Sequence, residues 1–261
     1  MNENLSSVFQ KLNIDVFGVT SAEKYNSIMK TDYKSAIVAL FPYYCGEDDN
    51  SPLSIYTHGK DYHIVIRDIL TQAARQLGLE NYDVRSDVGP SIERGLASDA
   101  GLCFIGRNSM CINEKYGSYF FIGYIVCDKA FKFSENAEKG CLNCGRCVEA
   151  CPGGALNDGF DEAKCLSAIT QKKGELTQCE KELVKNNNYI FGCDICQKVC
   201  PHNRAAEHTN IDAFCKNRIV DLDLNELRNM SNKEFKKKYG DRAFAWRGKN
   251  VLIRNMEIKE K

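Results

Sequence analysis

No run in this 261-residue chain approaches the roughly 20 consecutive apolar residues that cross a bilayer. Residues Met1 to Gln10 are polar and lack the apolar core of a secretory leader. These two absences point to a cytoplasmic protein without membrane association, in a compartment that keeps thiols reduced. Net charge is absent too, since 35 Lys and Arg balance 35 Asp and Glu. There is no GxGxxG dinucleotide loop, no phosphate-binding P-loop and no repeat of solenoid length. The chain is long enough for one large domain or two modest ones. Cysteine, by contrast, is abundant.

Of fourteen cysteines, seven lie in two blocks, Cys141-x2-Cys144-x2-Cys147-x3-Cys151-Pro152 and Cys193-x2-Cys196-x3-Cys200-Pro201, with Cys165 between them. The first block is the bacterial ferredoxin run, in which three thiolates hold one cubane and the fourth reaches across to another. The second supplies three thiolates, so Cys165 completes the eight that two [4Fe–4S] clusters require. By the crossing rule Cys141, Cys144, Cys147 and Cys200 hold one cluster, and Cys151, Cys165, Cys193 and Cys196 the other. Zinc is the competing reading, because CxxC pairs also build ribbons, but a ribbon rarely ends in CxxxCP. The other six, Cys45, Cys103, Cys111, Cys127, Cys179 and Cys215, share no spacing and read as small apolar residues.

Residues 1–130 read as a mixed α/β unit. Ala36 to Phe41, ending at Pro42, suits a buried strand. Ile64 to Leu77 has helical spacing closed by Gly78, and Ser91 to Ala100 is a second helical stretch. Phe104 to Asn113 and Ser118 to Cys127 read as two strands joined by a turn at residues 114–117. Polar residues from Asp128 to Gly140 read as a linker into the cysteine-rich unit, placed at residues 131–210, where a short helix is expected after each block. Residues 211–261 form a helical tail, with Ser231 and Glu234 as a capping box opening a helix that runs through Tyr239 and stops at Gly240. From Lys216 onward thirteen Lys and Arg face seven Asp and Glu. Such an excess suits either a solvated helix face or phosphate contact.

Several motifs occur in a fixed order: Ser54-Ile55-Tyr56-Thr57-His58-Gly59-Lys60-Asp61-Tyr62-His63, Asp87-Val88-Gly89-Pro90, Gly101 to Asn108, Gly117 to Gly123, Ala163 to Ser167, and Phe191-Gly192-Cys193-Asp194-Ile195-Cys196. Over residues 35–255 this series resembles the epoxyqueuosine reductase family, cobalamin-dependent iron–sulfur enzymes related to the reductive dehalogenases. The resemblance implies an α+β protein: a nitroreductase-like corrinoid-binding α/β domain, then a two-cluster ferredoxin-like domain and a short helical tail. It also implies reduction of epoxyqueuosine to queuosine in tRNA, with electrons from an external flavodoxin- or ferredoxin-type donor, by a monomer.

The acid of the family's VDxxP motif falls on Asp87, which is expected to protonate the alkoxide formed when an epoxide opens; burial would keep such a carboxyl protonated near neutral pH. Ser54, Cys111, Ile122 and Ser167 match family positions near the corrin, and Asp87 and Asp194 are further candidate contacts; strand packing or a local turn would explain several of these equally. His63 reads as a structural histidine rather than a cobalt ligand. Departures are visible. The family's TIE reads Thr170-Gln171-Lys172, its CPW reads Cys200-Pro201-His202, the segment from Val19 to Ala36 is shortened, and the chain is expected to be a short form without the C-terminal helical-repeat domain. Two other functions fit the same residues: corrinoid-dependent reduction of a small molecule, and a two-cluster electron carrier.

Overall fold

A strand sends alternate side chains to opposite faces. From Ala36 to Phe41 both sets are apolar, so both faces of that strand must be covered. The computed structural model describes residues 3–46, 50–87, 92–135 and 140–260. Its strands are β1 (Phe17–Ser21), β2 (Ser35–Pro42), β3 (Tyr82–Arg85), β4 (Phe104–Ile105), β5 (Cys111–Ile112) and β6 (Phe120–Cys127). Four of them form an antiparallel sheet in the order β1-β2-β6-β3. The first helices are α1 (Glu3–Lys11), α2 (Glu23–Met29), α3 (Tyr62–Gln76) and α4 (Glu93–Asp99).

Helices cover both faces, as the pattern requires. Ile37, Ala39 and Phe41 pack with Val8 and Phe9 of α1 and with Ile66 and Leu70 of α3. Ala36, Val38 and Leu40 meet Tyr25 of α2 and Leu96 and Ala97 of α4. Each large apolar side chain so enclosed contributes about 1.5–3 kcal/mol. The approach of α3 to the sheet depends on Gly123 in β6, because a Cβ there would lie 2.4 Å from Ile66 Cγ2.

The second half contains α5 (Arg146–Glu149), α6 (Leu166–Gln171), α7 (Gln178–Lys185), α8 (Ile195–Lys198), α9 (Asp212–Cys215), α10 (Leu224–Asn229), α11 (Asn232–Tyr239) and α12 (Lys249–Glu260). The capping box at Ser231 and Glu234 is present, and α11 ends at Gly240. The basic tail is anchored to the rest. Phe214 and Ala243 join the α3 core, while Leu227, Phe235, Phe244 and Leu252 enclose Leu53 and Phe191. Fully buried Asn255 of α12 donates to the carbonyls of Thr170 (2.7 Å) and Ile190 (2.8 Å).

Several sequence expectations need correction. Residues 104–113 are not one strand. They fold back as β4 and β5, because Gly106 N–H bonds Met110 C=O at 2.8 Å and closes a tight turn. β1 and β3 are too short to have shown a pattern of their own. The segment after Asp128 is no free linker as far as residue 135, since Ser134 exchanges hydrogen bonds with Val19. The short helices α5 and α8 lie inside the cysteine blocks rather than after them. Cys45 and Cys215 are not separate apolar residues but a disulfide, their Cα atoms 5.7 Å apart, tying the end of β2 to α9. Of the other four, Cys111 and Cys127 are buried as expected, Cys103 is half-buried and Cys179 is exposed.

Candidate active site

The seven cysteines of the blocks and Cys165 sort into two quartets. Burial raises the Cys147 and Cys200 thiols, and neighbouring thiols add to it: Cys141 acts on both, Cys200 on Cys147, and Cys144 on Cys200. Burial pushes the Cys193 thiol up to about 12 and raises Cys196 as well, and both are raised further by Cys165 and Cys151. These are the groupings the crossing rule demands. Backbone N–H groups already point at sulfur, from Asn143 to Cys141 Sγ at 3.4 Å and from Ala155 to Cys151 Sγ at 3.3 Å. Burial and mutual repulsion work against thiolates here unless cationic iron lies among them, so the donor set fits a metal cluster.

The inner quartet faces a cavity. Cys151, Cys165, Cys193 and Cys196 line a space of about 300 Å³, whose other walls include Ser54, Ser167 and Phe121. A second cavity of about 290 Å³ contains Asp87, Cys111 and Ile122 on its walls, together with Arg94. Met110, Phe120 and Phe121 line both, so the two adjoin across an apolar partition. Five of the six proposed corrinoid contacts therefore face one pair of cavities. The sixth does not. Asp194 is buried behind the wall, its carboxylate accepting from Ser54 Oγ and from Ile55 N–H at 2.8 Å. Both oxygens accept a hydrogen bond, so Asp194 positions the Ser54 loop.

That loop crosses a seam. Leu53 pairs with Phe191 in a parallel bridge, and Gly192 (φ +74°) lets the chains meet, since a Cβ there would lie 2.4 Å from Ser54 Cβ. A buried polar network closes the other side. Ser118 of the segment before β6 donates to Gln197 Oε1 (2.9 Å), and Asn203 Nδ2 donates to Ser118 Oγ (2.9 Å) and to Gln197 C=O (2.7 Å). Nothing in the local sequence pattern signalled these partners, because they lie far apart along the chain.

Asp87 adopts a left-handed backbone (φ +51°), which aspartate tolerates better than most residues. Its side chain is 60% exposed, so the expected enclosure by protein is not met. The rest of its motif, Val88-Gly89-Pro90, and Ser91 lie outside the described residues. Asp87 is instead engaged by two neighbours from the start of α3. Tyr62 OH donates to Asp87 Oδ2, and His63 Nε2 stands 3.8 Å from the same oxygen. His63 Nδ1 in turn meets Asp61 Oδ1 at 2.8 Å. That bond raises the His63 pKa despite opposing burial. Burial pushes Asp61 up, but its bonds from the His63 ring and N–H outweigh this and leave it below the usual carboxylate value. An Asp–His–Asp row thus leads to the cavity. The sequence marked His63 only as a structural histidine and gave Asp61 and Tyr62 no role; the Asp-x-His spacing at a helix N-terminus was the usable signal.

Fold and site together define an iron–sulfur redox protein with a chamber beside its inner quartet. The family model described as a 4Fe-4S double cluster binding domain matches residues 140–203, a stretch that contains Cys165 and all seven cysteines of the two blocks. A curated epoxyqueuosine reductase from Lactococcus garvieae is 37% identical over 205 residues, 76% of this chain and 58% of that protein. One from Cyclobacterium marinum is 33% identical over 230 residues, covering 82% of this chain and 73% of the relative. The chain belongs to the epoxyqueuosine reductase family. A solved epoxyqueuosine reductase bound to a tRNA-Tyr epoxyqueuosine-modified stem loop superposes with a TM-score of 0.83 at 25% identity, covering 98% of this chain and 80% of that one. The chain spans 58% of the Lactococcus relative's length, less than two thirds. Among the described residues no helix is long and apolar enough to cross a membrane.

Proposed function

We propose that this protein is a cobalamin-dependent iron–sulfur reductase that converts epoxyqueuosine to queuosine in tRNA. The observation that carries the reading is the meeting of the four inner sulfurs with Ser54, Ser167, Asp87, Cys111 and Ile122 around two adjoining cavities. The family relationship and the relative seen with a modified tRNA stem loop support the substrate. In this reading residues 1–130 hold a corrinoid in a nitroreductase-like domain, residues 131–210 form a ferredoxin-like two-cluster domain, and residues 211–261 brace both.

The apolar partition of Phe120, Phe121 and Met110 suits the flat face of a corrin, with Ser54 and Ser167 near one cavity and Cys111 and Ile122 at the other. No histidine lines either cavity, so the residues present hold the macrocycle without offering an imidazole to the metal. Bound there, cobalamin would supply a reduced cobalt centre able to deliver electrons to the epoxide. The outer quartet is the entry point: Cys144 is exposed and Leu142 beside it is 63% exposed, which suits docking by a flavodoxin- or ferredoxin-type donor.

Removing an epoxide oxygen as water takes two electrons and two protons. Asp87 holds one proton toward the oxygen as the ring opens, with Tyr62 orienting the carboxyl. His63, linked to Asp61, stands where it can resupply Asp87. Closure of substrate and corrinoid over Asp87 replaces the enclosure that the protein alone does not provide.

Queuosine analysis of tRNA from a deletion strain tests the reading, with complementation by this chain. Accumulated epoxyqueuosine that disappears on complementation is the expected result. A deletion strain with normal queuosine, in a host that makes it and has no second enzyme for the step, would overturn the proposal.

A further inference from the structure

A separate cavity of about 530 Å³ opens between the start of α3, helix α11 and the loop entering α12. Lys236, Arg242, Trp246 and Arg247 line it, with Asp61 as its acidic wall. Trp246 is 58% exposed, unusual for so large an apolar side chain. Its ring is nonetheless held, with Nε1 donating to Gln171 Oε1 at 3.2 Å and the Arg247 guanidinium 3.5 Å from the ring centroid.

Arg242 Nε lies 3.3 Å from Asp241 Oδ1, but the other two cations are not consumed by carboxylates. Among the described residues neither Lys236 nor Arg247 forms an ion pair, and Arg247 Nε is buried without an acceptor. A buried, unmet donor on a charged group is costly and favours an anionic acceptor. The first turn of α12 forms part of the same wall, through Lys249 and Asn250, and carries no acidic residue. A helix N-terminus of that kind attracts phosphate.

Two short connections join this cleft to the reaction chamber. Asp61 on its wall contacts His63, which faces Asp87. Trp246 bonds Gln171, whose Nε2 reaches Ser167 Oγ at 3.3 Å. A polymer threading the cleft would therefore place its next unit at the chamber. An exposed aromatic ring flanked by cations suits single-stranded nucleic acid, in which bases stack and phosphates pair.

We propose that this cleft holds the single-stranded RNA next to the substrate nucleotide, with a neighbouring base on Trp246 and backbone phosphates on Lys236, Arg247 and the first turn of α12. The proposal rests on the tRNA reading above and names where that reading's substrate is gripped.

The test uses the full chain loaded with both clusters and cobalamin, a reduced flavodoxin-type donor for the reduction assay, and an epoxyqueuosine-bearing anticodon stem-loop RNA, with binding followed by fluorescence anisotropy across a salt series. Trp246→Ala should weaken binding about tenfold. Lys236→Gln, at an exposed position that does not endanger folding, should flatten the logarithmic salt slope by about 0.7. Lys11→Gln, a charge change at the end of α1, should leave both unchanged. Unaltered iron content certifies that each variant is folded. Wild-type protein that binds and reduces the hairpin while Trp246→Ala and Lys236→Gln bind equally well overturns the cleft and leaves the tRNA reading standing. A Lys11→Gln effect as large as that of Lys236→Gln also overturns it, by reducing the cleft to bulk charge. Wild type that neither binds nor reduces the hairpin sinks the tRNA reading, and the cleft with it.

Discussion

Asp87 acts in the proposed chemistry through what surrounds it. Its carboxyl is exposed, so replacing it costs little stability, whereas losing a positioned proton donor costs about 10²–10⁴-fold in rate. Asp87→Asn is therefore expected to retain iron and corrinoid while single-turnover reduction falls by at least about a hundredfold; a wild-type rate removes Asp87 from the mechanism. His63 gives a pH signature. Its pKa is raised by the bond it donates to Asp61, so the pair stabilises the fold fully below the unfolded value of about 6.5 and stops doing so as pH rises through the higher folded value. His63 is partly exposed, which makes the effect small. In thermal melts the gap between wild type and His63→Gln should be widest near about pH 6 and close toward alkaline pH; a gap that widens with pH contradicts the assignment. The quartets are the most direct residue-scale test. Cys165→Ala should lose about half the iron, while Cys179→Ala, at an exposed thiol outside both quartets, should lose none. Equal iron in both variants would show that Cys165 is not a ligand.

Elements whose cause is local could be read in advance. The buried strand β2 follows from a double-sided apolar run and the α11 cap from Ser231 and Glu234. Elements decided by distant partners could not. The 104–113 run has strand-forming residues, yet the turn from Gly106 to Met110 breaks it into two short arms. The Cys45–Cys215 pair spans 170 residues, and no spacing rule reaches that far. Asp194 reads in the sequence as a candidate corrinoid contact, whereas its two bonds into the Ser54 loop needed coordinates. The α12 helix makes the point energetically. Asn255→Leu would leave the Thr170 and Ile190 carbonyls unpaired in the interior, costing about 1–3 kcal/mol. Chemical denaturation should register that loss with no change in iron per folded molecule. A variant as stable as wild type would mean that water or a neighbouring donor replaces the amide.

Across the whole molecule, the chamber belongs to neither half. Its walls come from the sheet layer and from the cysteine-rich segment, joined by the Leu53–Phe191 bridge and the Ser118–Gln197–Asn203 network. The inner four cysteines line that space, whereas none of the outer four does and Cys144 among them is exposed. Whatever fills the chamber therefore doubles as a plug. Air should bleach the inner cube quickly in corrinoid-free protein and slowly once the corrinoid is seated, with the outer cube decaying alike in both. Dioxygen exposure followed by electron paramagnetic resonance would separate the two decays, and identical inner lifetimes would deny the tenant any protective part.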